Sequence, residues 1–281
     1  MSLYSHEDKN QQSPLMRAPA EIRMMIYEYL FDDDGHQRLL IQNAAPGKLA
    51  GPEEKEEEEE KASRPRWCRS RYYVQDRTKL HRRCYETTYV LATPGVRFCA
   101  ALMRTSRAVY GETAHVVYGR HAFDFGRDIE AVEPFLSDLT PASRALIREV
   151  SLYKHHGPHH CCAVSESDRS EWRSVCRFLR DRVAEVRKLR LVVQGGKPPG
   201  PWEGPREFSA ADFKLLADIR HESLDWVADL ATVRSIRDLE VVPDVHYCPP
   251  PVSTSMIVFA AFSASIERGL AEFLRAQLRL G

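Results

Sequence analysis

No stretch of this sequence is apolar for long enough to cross a bilayer. The longest largely apolar run, 256–264, falls far short of the roughly 20 residues a membrane helix needs. The opening residues, MSLYSHEDKNQQSP, lack the apolar core of a secretory leader. Net charge is missing as well: 40 Lys+Arg face 40 Asp+Glu, so the chain as a whole is not a polyanion binder. Nor is there a disulfide framework. The seven cysteines are odd in number and irregularly spaced, and Cys99 and Cys176 sit inside helical patterns, which reads as reduced thiols. Phosphate-cradling G-x-x-x-x-G-K-[ST], dinucleotide G-x-G-x-x-G and nucleophile-elbow G-x-S-x-G motifs are all absent. Gly195-Gly196-Lys197 runs into Pro198, and His221-Glu222 lacks the second histidine of a zincin. These absences point to a cytoplasmic or nuclear protein with no catalytic residues, no cofactor, no membrane contact and no evident small-molecule substrate.

Regular patterning is present, and it is strongest at 98–125, FCAALMRTSRAVYGETAHVVYGRHAFDF. Phe98, Leu102, Ser106, Val109, Thr113 and Val116 fall on one helical line, with Met103, Tyr110 and Val117 beside it. That spacing predicts one helix of about five turns with a buried face. Gly119 is expected to end it in a left-handed stop, and Phe123-Asp124-Phe125 alternates like a strand. Gly111 in mid-helix costs about 1 kcal/mol against Ala, which suggests a tight packing contact there.

Before this element, residues 1–13 read as a disordered tail. A helix follows, with Pro19 and Glu21 in its first turn and a stripe of Ile22, Met25, Ile26, Tyr29 and Leu30. Leu39-Leu40-Ile41 and TTYVL at 87–91 are strand candidates. Between them lies a charged insertion, about 44–83, expected to be disordered, with seven Glu and two Lys at 53–61 and eight Lys+Arg against one Asp at 64–83. Pairing of the two strands would pin its ends.

After 125, Asp128 and Thr140-Pro141 can start short helices, and Ser209 a longer one that breaks near Arg220-His221. Asp168-x-x-Glu171 resembles a capping box ahead of the stripe Trp172, Val175, Cys176, Leu179, Val183 and Val186. A last helix holds Phe259, Phe262, Ile266, Leu270, Phe273, Leu274 and Leu278. A loose repeat, IREVSL at 147, VRKLRL at 186 and IRDLEV at 236, spaced by 39 and 50 residues, suits helix–strand units in a mostly parallel sheet. In each unit one strand face is apolar and the other carries Tyr153, Lys188, Arg190, Asp238 and Glu240 among its residues. Such alternation implies helices on one sheet face only, leaving a charged face for docking.

Two stretches carry a family resemblance. MRAPAEIRMMIYEYLF resembles the signature "LPxEIRxxIYxxLL" that opens a large set of fungal F-box-like proteins, mostly domains of unknown function. ALMRTSRAVYGETAHVVYGRHAFDF is similar to their second signature, "LLRTCRQIYxEAxPxLYxxNxFxF". Pro19, Glu21, Ile22, Arg23, Ile26, Tyr27 and Leu30 match the first; Leu102, Arg104, Arg107, Tyr110, Glu112, Tyr118 and Phe123 match the second. Ala18, Ser106 and His121 stand where the signatures have Leu, Cys and Asn. The resemblance implies F-box-like helices at 14–125, with the first signature helix packing Ile22, Ile26 and Leu30 on the second. It further implies a role in protein binding, including that of substrate adaptor of a ubiquitin ligase.

The resulting expectation is an α/β fold, with α+β as the alternative. F-box-like helices pack with an irregular, mostly parallel sheet of leucine-rich-repeat-like units, 126–281, in one continuous globule. The expected role is a non-enzymatic protein-interaction module, with contacts at Pro19, Glu21 and Ile22 and at Tyr153, Lys188, Arg190, Asp238 and Glu240. The alternative is nucleic-acid association through the basic, aromatic arm 64–83, which holds Trp67, Tyr72 and Tyr73. A third reading takes His155, His156, His159, His160, Cys161 and Cys162 as a metal site or thiol centre; a solvated loop is the plainer account of those residues.

Overall fold

A computed structural model describes residues 13–31, 38–44, 69–75, 84–93, 101–155, 166–198 and 207–279. At its centre is a seven-stranded sheet of order β2-β3-β1-β4-β5-β6-β7. The strands are β1 (Arg38–Ala44), β2 (Arg71–Gln75), β3 (Cys84–Leu91), β4 (Ala122–Asp124), β5 (Glu149–Lys154), β6 (Lys188–Lys197) and β7 (Asp238–Tyr247). β1 and β4 to β7 run parallel, while β3 is antiparallel to both β1 and β2. This is the mixed, mostly parallel α/β sheet that the alternating helix and strand patterns call for.

Register explains the core. Leu39, Phe123, Val150, Leu189 and Leu239 lie side by side on successive strands, and all five are buried. Each contributes about 1.5–3 kcal/mol by leaving water. On this ladder pack α6 (Glu166–Arg182), α8 (Asp225–Leu230), α9 (Thr254–Ala264) and α10 (Ala271–Gln277), whose inward residues join one continuous cluster from Tyr27 to Leu274. The α6 stripe foreseen from Trp172 to Val186 is buried throughout. Trp172 is locked edge-on against Trp226, 5.6 Å between rings, and donates from Nε1 to the Trp226 carbonyl at 3.0 Å.

Local signals place several boundaries. Thr140 accepts from the Ser143 amide and starts α5 (Pro141–Arg144); Ser209 and Asp212 form a reciprocal capping box for α7 (Ala210–Asp218). The break near Arg220 is real: its φ is +54°, and the chain restarts in α8. Between α9 and α10 the helix widens by one residue per turn over Ile266–Leu270, where the Leu270 amide reaches the Ser265 carbonyl at 3.0 Å. Gly269 sits in this wide turn against the Phe208 backbone, and a Cβ there would stand 2.1 Å from the Phe208 carbonyl oxygen.

Other expectations fail, each for a physical reason. The helix foreseen from 98 to 119 breaks: Ser106 caps α3 (Arg107–Arg120) by accepting from the Val109 amide, so a polar residue on the apolar line starts a new helix. Gly119 does not stop α3, which runs through it to Arg120; among the described residues the glycine with positive φ is Gly126, +46°. Gly111 has nothing within 4 Å of where a Cβ would sit, so no close contact requires it. Asp128 does not cap the turn that precedes α4 (Val132–Asp138); its carboxylate accepts from the Asn43 amide at 3.0 Å instead. Asp168 lies inside α6 rather than ahead of it. Within the stretch 44–83, residues 71–75 are strand β2, paired with β3 from Arg71↔Thr88 to Gln75↔Cys84. The foreseen pairing that pins the ends, β1 with β3, is present from Ile41↔Leu91 to Ala44↔Thr88.

Candidate protein-interaction site

The first signature forms two helices, α1 (Pro14–Arg17) and α2 (Ala20–Phe31), and a polar bolt fixes α2 to α3. Arg23 donates from Nε to Glu112 Oε2 at 2.9 Å and from its second terminal nitrogen to Glu112 Oε1. Its remaining terminal nitrogen donates to the Ala18 carbonyl at 2.6 Å, and Tyr27 Oη donates to Glu112 Oε2 at 3.1 Å. The Arg23 hydrogen bonds hold the Glu112 carboxyl below its ordinary pKa, against the opposing effect of burial. At the other end of α2, Arg120 meets Glu28 at 2.7 Å, and the buried His121 ring spans the Phe31 carbonyl and the carbonyls of Val116 and Val117. Tyr27 and Phe31 are the α2 side chains that enter the core.

That anchoring turns the rest of α2 outward. Ile22, Met25, Ile26 and Tyr29 are 46, 64, 38 and 84 % exposed. Their spacing of i, i+3, i+4 and i+7 makes one apolar stripe on the solvent side. Pro19 and Glu21 are exposed at its start. The expected packing of Ile22 and Ile26 on the second signature helix is therefore corrected. Of that trio, Leu30 alone is partly buried against the core, because Arg23 and Tyr27 take the inward face.

On the sheet face opposite Leu189 and Leu239, β5 to β7 bring Tyr153, Lys188, Arg190, Asp238 and Glu240 together as the alternation requires. Most are already engaged. Lys188 meets Glu149 at 3.2 Å; Arg190 and Arg38 share Glu240 at 3.6 and 3.8 Å. Asp238 is exposed. Tyr153 is only 4 % exposed, so it is no free docking residue. Its hydroxyl donates to Asp244 at 2.7 Å, its ring lies 5.2 Å from the Arg127 guanidinium, and burial pushes its pKa up. Asp244 also accepts from Arg127 at 3.0 Å and faces His246 at 3.0 Å. Burial raises the Asp244 carboxyl, yet its hydrogen bonds to Tyr153, Arg127 and His246 outweigh this and hold it low.

From the basic arm, the described residues serve the fold. Arg69 donates to the Tyr89 carbonyl at 3.2 Å, Arg71 pairs with Glu86 at 3.6 Å, and the Tyr72 hydroxyl bonds Asn43. Tyr73 is exposed, and Trp67 lies outside the described residues. So do His156, His159, His160, Cys161 and Cys162; His155 packs its ring 4.7 Å from that of Tyr153. Among the described residues, no three His, Cys, Asp or Glu side chains converge as a metal site, and no helix is long and apolar enough to cross a membrane.

Met25, Ile26 and Tyr29 are exposed, against the expectation of an inward stripe. Their helical spacing was visible, but spacing alone does not say which of two apolar stripes turns inward. Comparison with known proteins adds one relationship. No curated protein and no solved structure matches the chain significantly. The family model described as a domain of unknown function (DUF7730) matches residues 8–225, well over half of the 281, and the chain belongs to that family.

Proposed function

We propose that this chain is a non-enzymatic protein-interaction module, and that α2 is its docking helix. The observation that carries this reading is the exposed stripe Ile22, Met25, Ile26 and Tyr29 on a helix bolted down by its other face. Exposed apolar anchors at i, i+3, i+4 and i+7 are what an apolar groove on a partner receives from a helix. The preformed helix lowers the ordering cost of binding, because α2 is already held in place. Pro19, Glu21 and Ile22 belong to the contact by position. The F-box-like resemblance makes the adaptor subunit of a cullin-type ubiquitin ligase the first partner to try. The paired charges of the sheet face support that surface less well, since a partner would have to displace internal ion pairs.

The test is affinity capture of the full chain, first with the ligase adaptor and then from native extract, beside an Ile22→Ser/Met25→Ser/Ile26→Ser variant. Loss of the captured protein with the variant, at unchanged thermal stability, supports docking through α2. Capture that is indifferent to the triple substitution removes α2 from the reading. Absence of adaptor binding at micromolar concentration removes the ligase role.

A further inference from the structure

We propose a second, independent interaction surface: an arginine rim at the starts of β5, β6 and β7 that takes an acidic segment of a partner protein. The three repeat units place an arginine at the same point, immediately before or at the strand start: Arg148, Arg187 and Arg237. Backbone hydrogen bonds fix them side by side. The Arg187 amide donates to the Arg148 carbonyl at 2.9 Å, and the Arg237 amide to the Arg187 carbonyl at 2.7 Å. Neighbouring strands are roughly 4.8 Å apart, so the three cationic side chains leave one edge of the sheet as a short ladder. The last turn of α6 and the turn that leads into β7 add the exposed Arg182 and Arg234.

Opposing charge is scarce. Glu185 serves both Arg148 at 3.5 Å and Arg187 at 3.4 Å, and Asp181 is taken by Arg180 at 2.7 Å. Lys188 and Glu149 pair on the sheet face opposite Leu189, where Asp238 also points by register. Arg234 and Arg237 have no carboxylate partner among the described residues. Compensation of a helix dipole accounts for Arg180 and Arg182, which sit in the last turn of α6. It does not account for Arg187 and Arg237, which lie beyond the helices; Arg148 also donates to the Ala145 carbonyl at the end of α5 at 2.6 Å. In a chain of balanced total charge, five arginines against Glu185 and Asp181 form a local cationic field.

Arginine forks suit carboxylates and phosphates alike. The strand starts Ile147-Arg148-Glu149, Val186-Arg187-Lys188 and Ile236-Arg237-Asp238 offer no aromatic platform for bases, which favours a run of Asp and Glu over single-stranded nucleic acid.

The test titrates the full-length chain into a fluorescent ten-glutamate peptide at about 10 mM and about 150 mM salt, which shortens the screening length from about 30 to about 8 Å. Expected is binding at low salt that weakens about tenfold or more at high salt and is lost in Arg187→Glu/Arg237→Glu. Ile22→Ser, on the α2 face, leaves it unchanged, so failure here and failure of the α2 reading are separable. If the reversal variant does not fold, Arg187→Gln/Arg237→Gln must weaken binding instead. No binding at low salt, or binding indifferent to these substitutions, overturns the proposal. So does tighter binding of a DNA duplex at equal charge concentration.

Discussion

The Arg23 guanidinium grips the Glu112 carboxylate with two nitrogens across 89 residues of sequence, and Tyr27 closes the same carboxylate from α2. This pair decides how α2 sits, and through that which α2 residues meet solvent.

A double-mutant cycle on Arg23→Gln and Glu112→Gln should show strong coupling, each single change costing nearly as much as the double. Hydrogen exchange is the sensitive readout. Amides of α2 should lose protection in all three variants, while those of β5 and β6 stay protected. Additive effects would mean that the pair does not orient the helix.

The pair also sets an acid limit. Glu112 has a depressed pKa, so its contribution is present above the ordinary glutamate value of 4.5 and is lost as pH falls through the lower folded value. Stability should therefore fall more steeply below that pH in the native chain than in Glu112→Gln. Urea melts between pH 3 and 7 measure this, and parallel acid limbs would contradict it.

Stability and capture should separate along α2. Ser at Met25 or Ile26 changes exposed positions and should alter stability by no more than about 0.5 kcal/mol. Ala at Tyr27 or Phe31 empties buried sites and should cost about 3–5 kcal/mol. Thermal melts distinguish the two groups before any partner is known.

Two glycines should respond with opposite sign. Gly111→Ala fills open space within α3 and should stabilise by about 0.5–1 kcal/mol. Gly269→Ala drives a methyl into the Phe208 carbonyl and should destabilise by about 1–3 kcal/mol or more.

The matched family region ends at 225, but the core does not. A chain cut after 225 loses β7 and the helices that cover Leu189 and Leu191, including the Ser263 hydroxyl that accepts from the Gly196 amide at 2.9 Å. It should aggregate or melt without a cooperative transition, whereas a two-state melt would show that the C-terminal part is dispensable.

Sequence reading succeeded where the deciding force is local. Ser209 and Thr140 cap with atoms three residues away, and the period-two pattern of VRKLRL and IRDLEV is set by burial of one strand face. It failed where distant contacts choose. RYYVQ reads as part of a basic stretch, although Tyr72, Tyr73 and Val74 favour a strand once β3 is there to pair. Tyr27, Met24 and Phe31 form as good an inward stripe as Ile22, Met25 and Ile26; only the position of Glu112, far along the chain, breaks the tie. The same applies to the sheet face, where Tyr153 looked outward by alternation and is covered because Arg127 and Asp244 come together above it.

The strand order carries a kinetic meaning. β4, β5, β6 and β7 join the sheet in the order in which the chain presents them, so each addition closes a loop of a few tens of residues. Seating α2 on α3 must close 89, whose length-dependent entropy alone is on the order of 4 kcal/mol. The repeat strands should therefore assemble early and α2 arrive last, and it should also be the first part to detach. The surface we propose for a partner would then be mounted on the most readily released piece of the molecule.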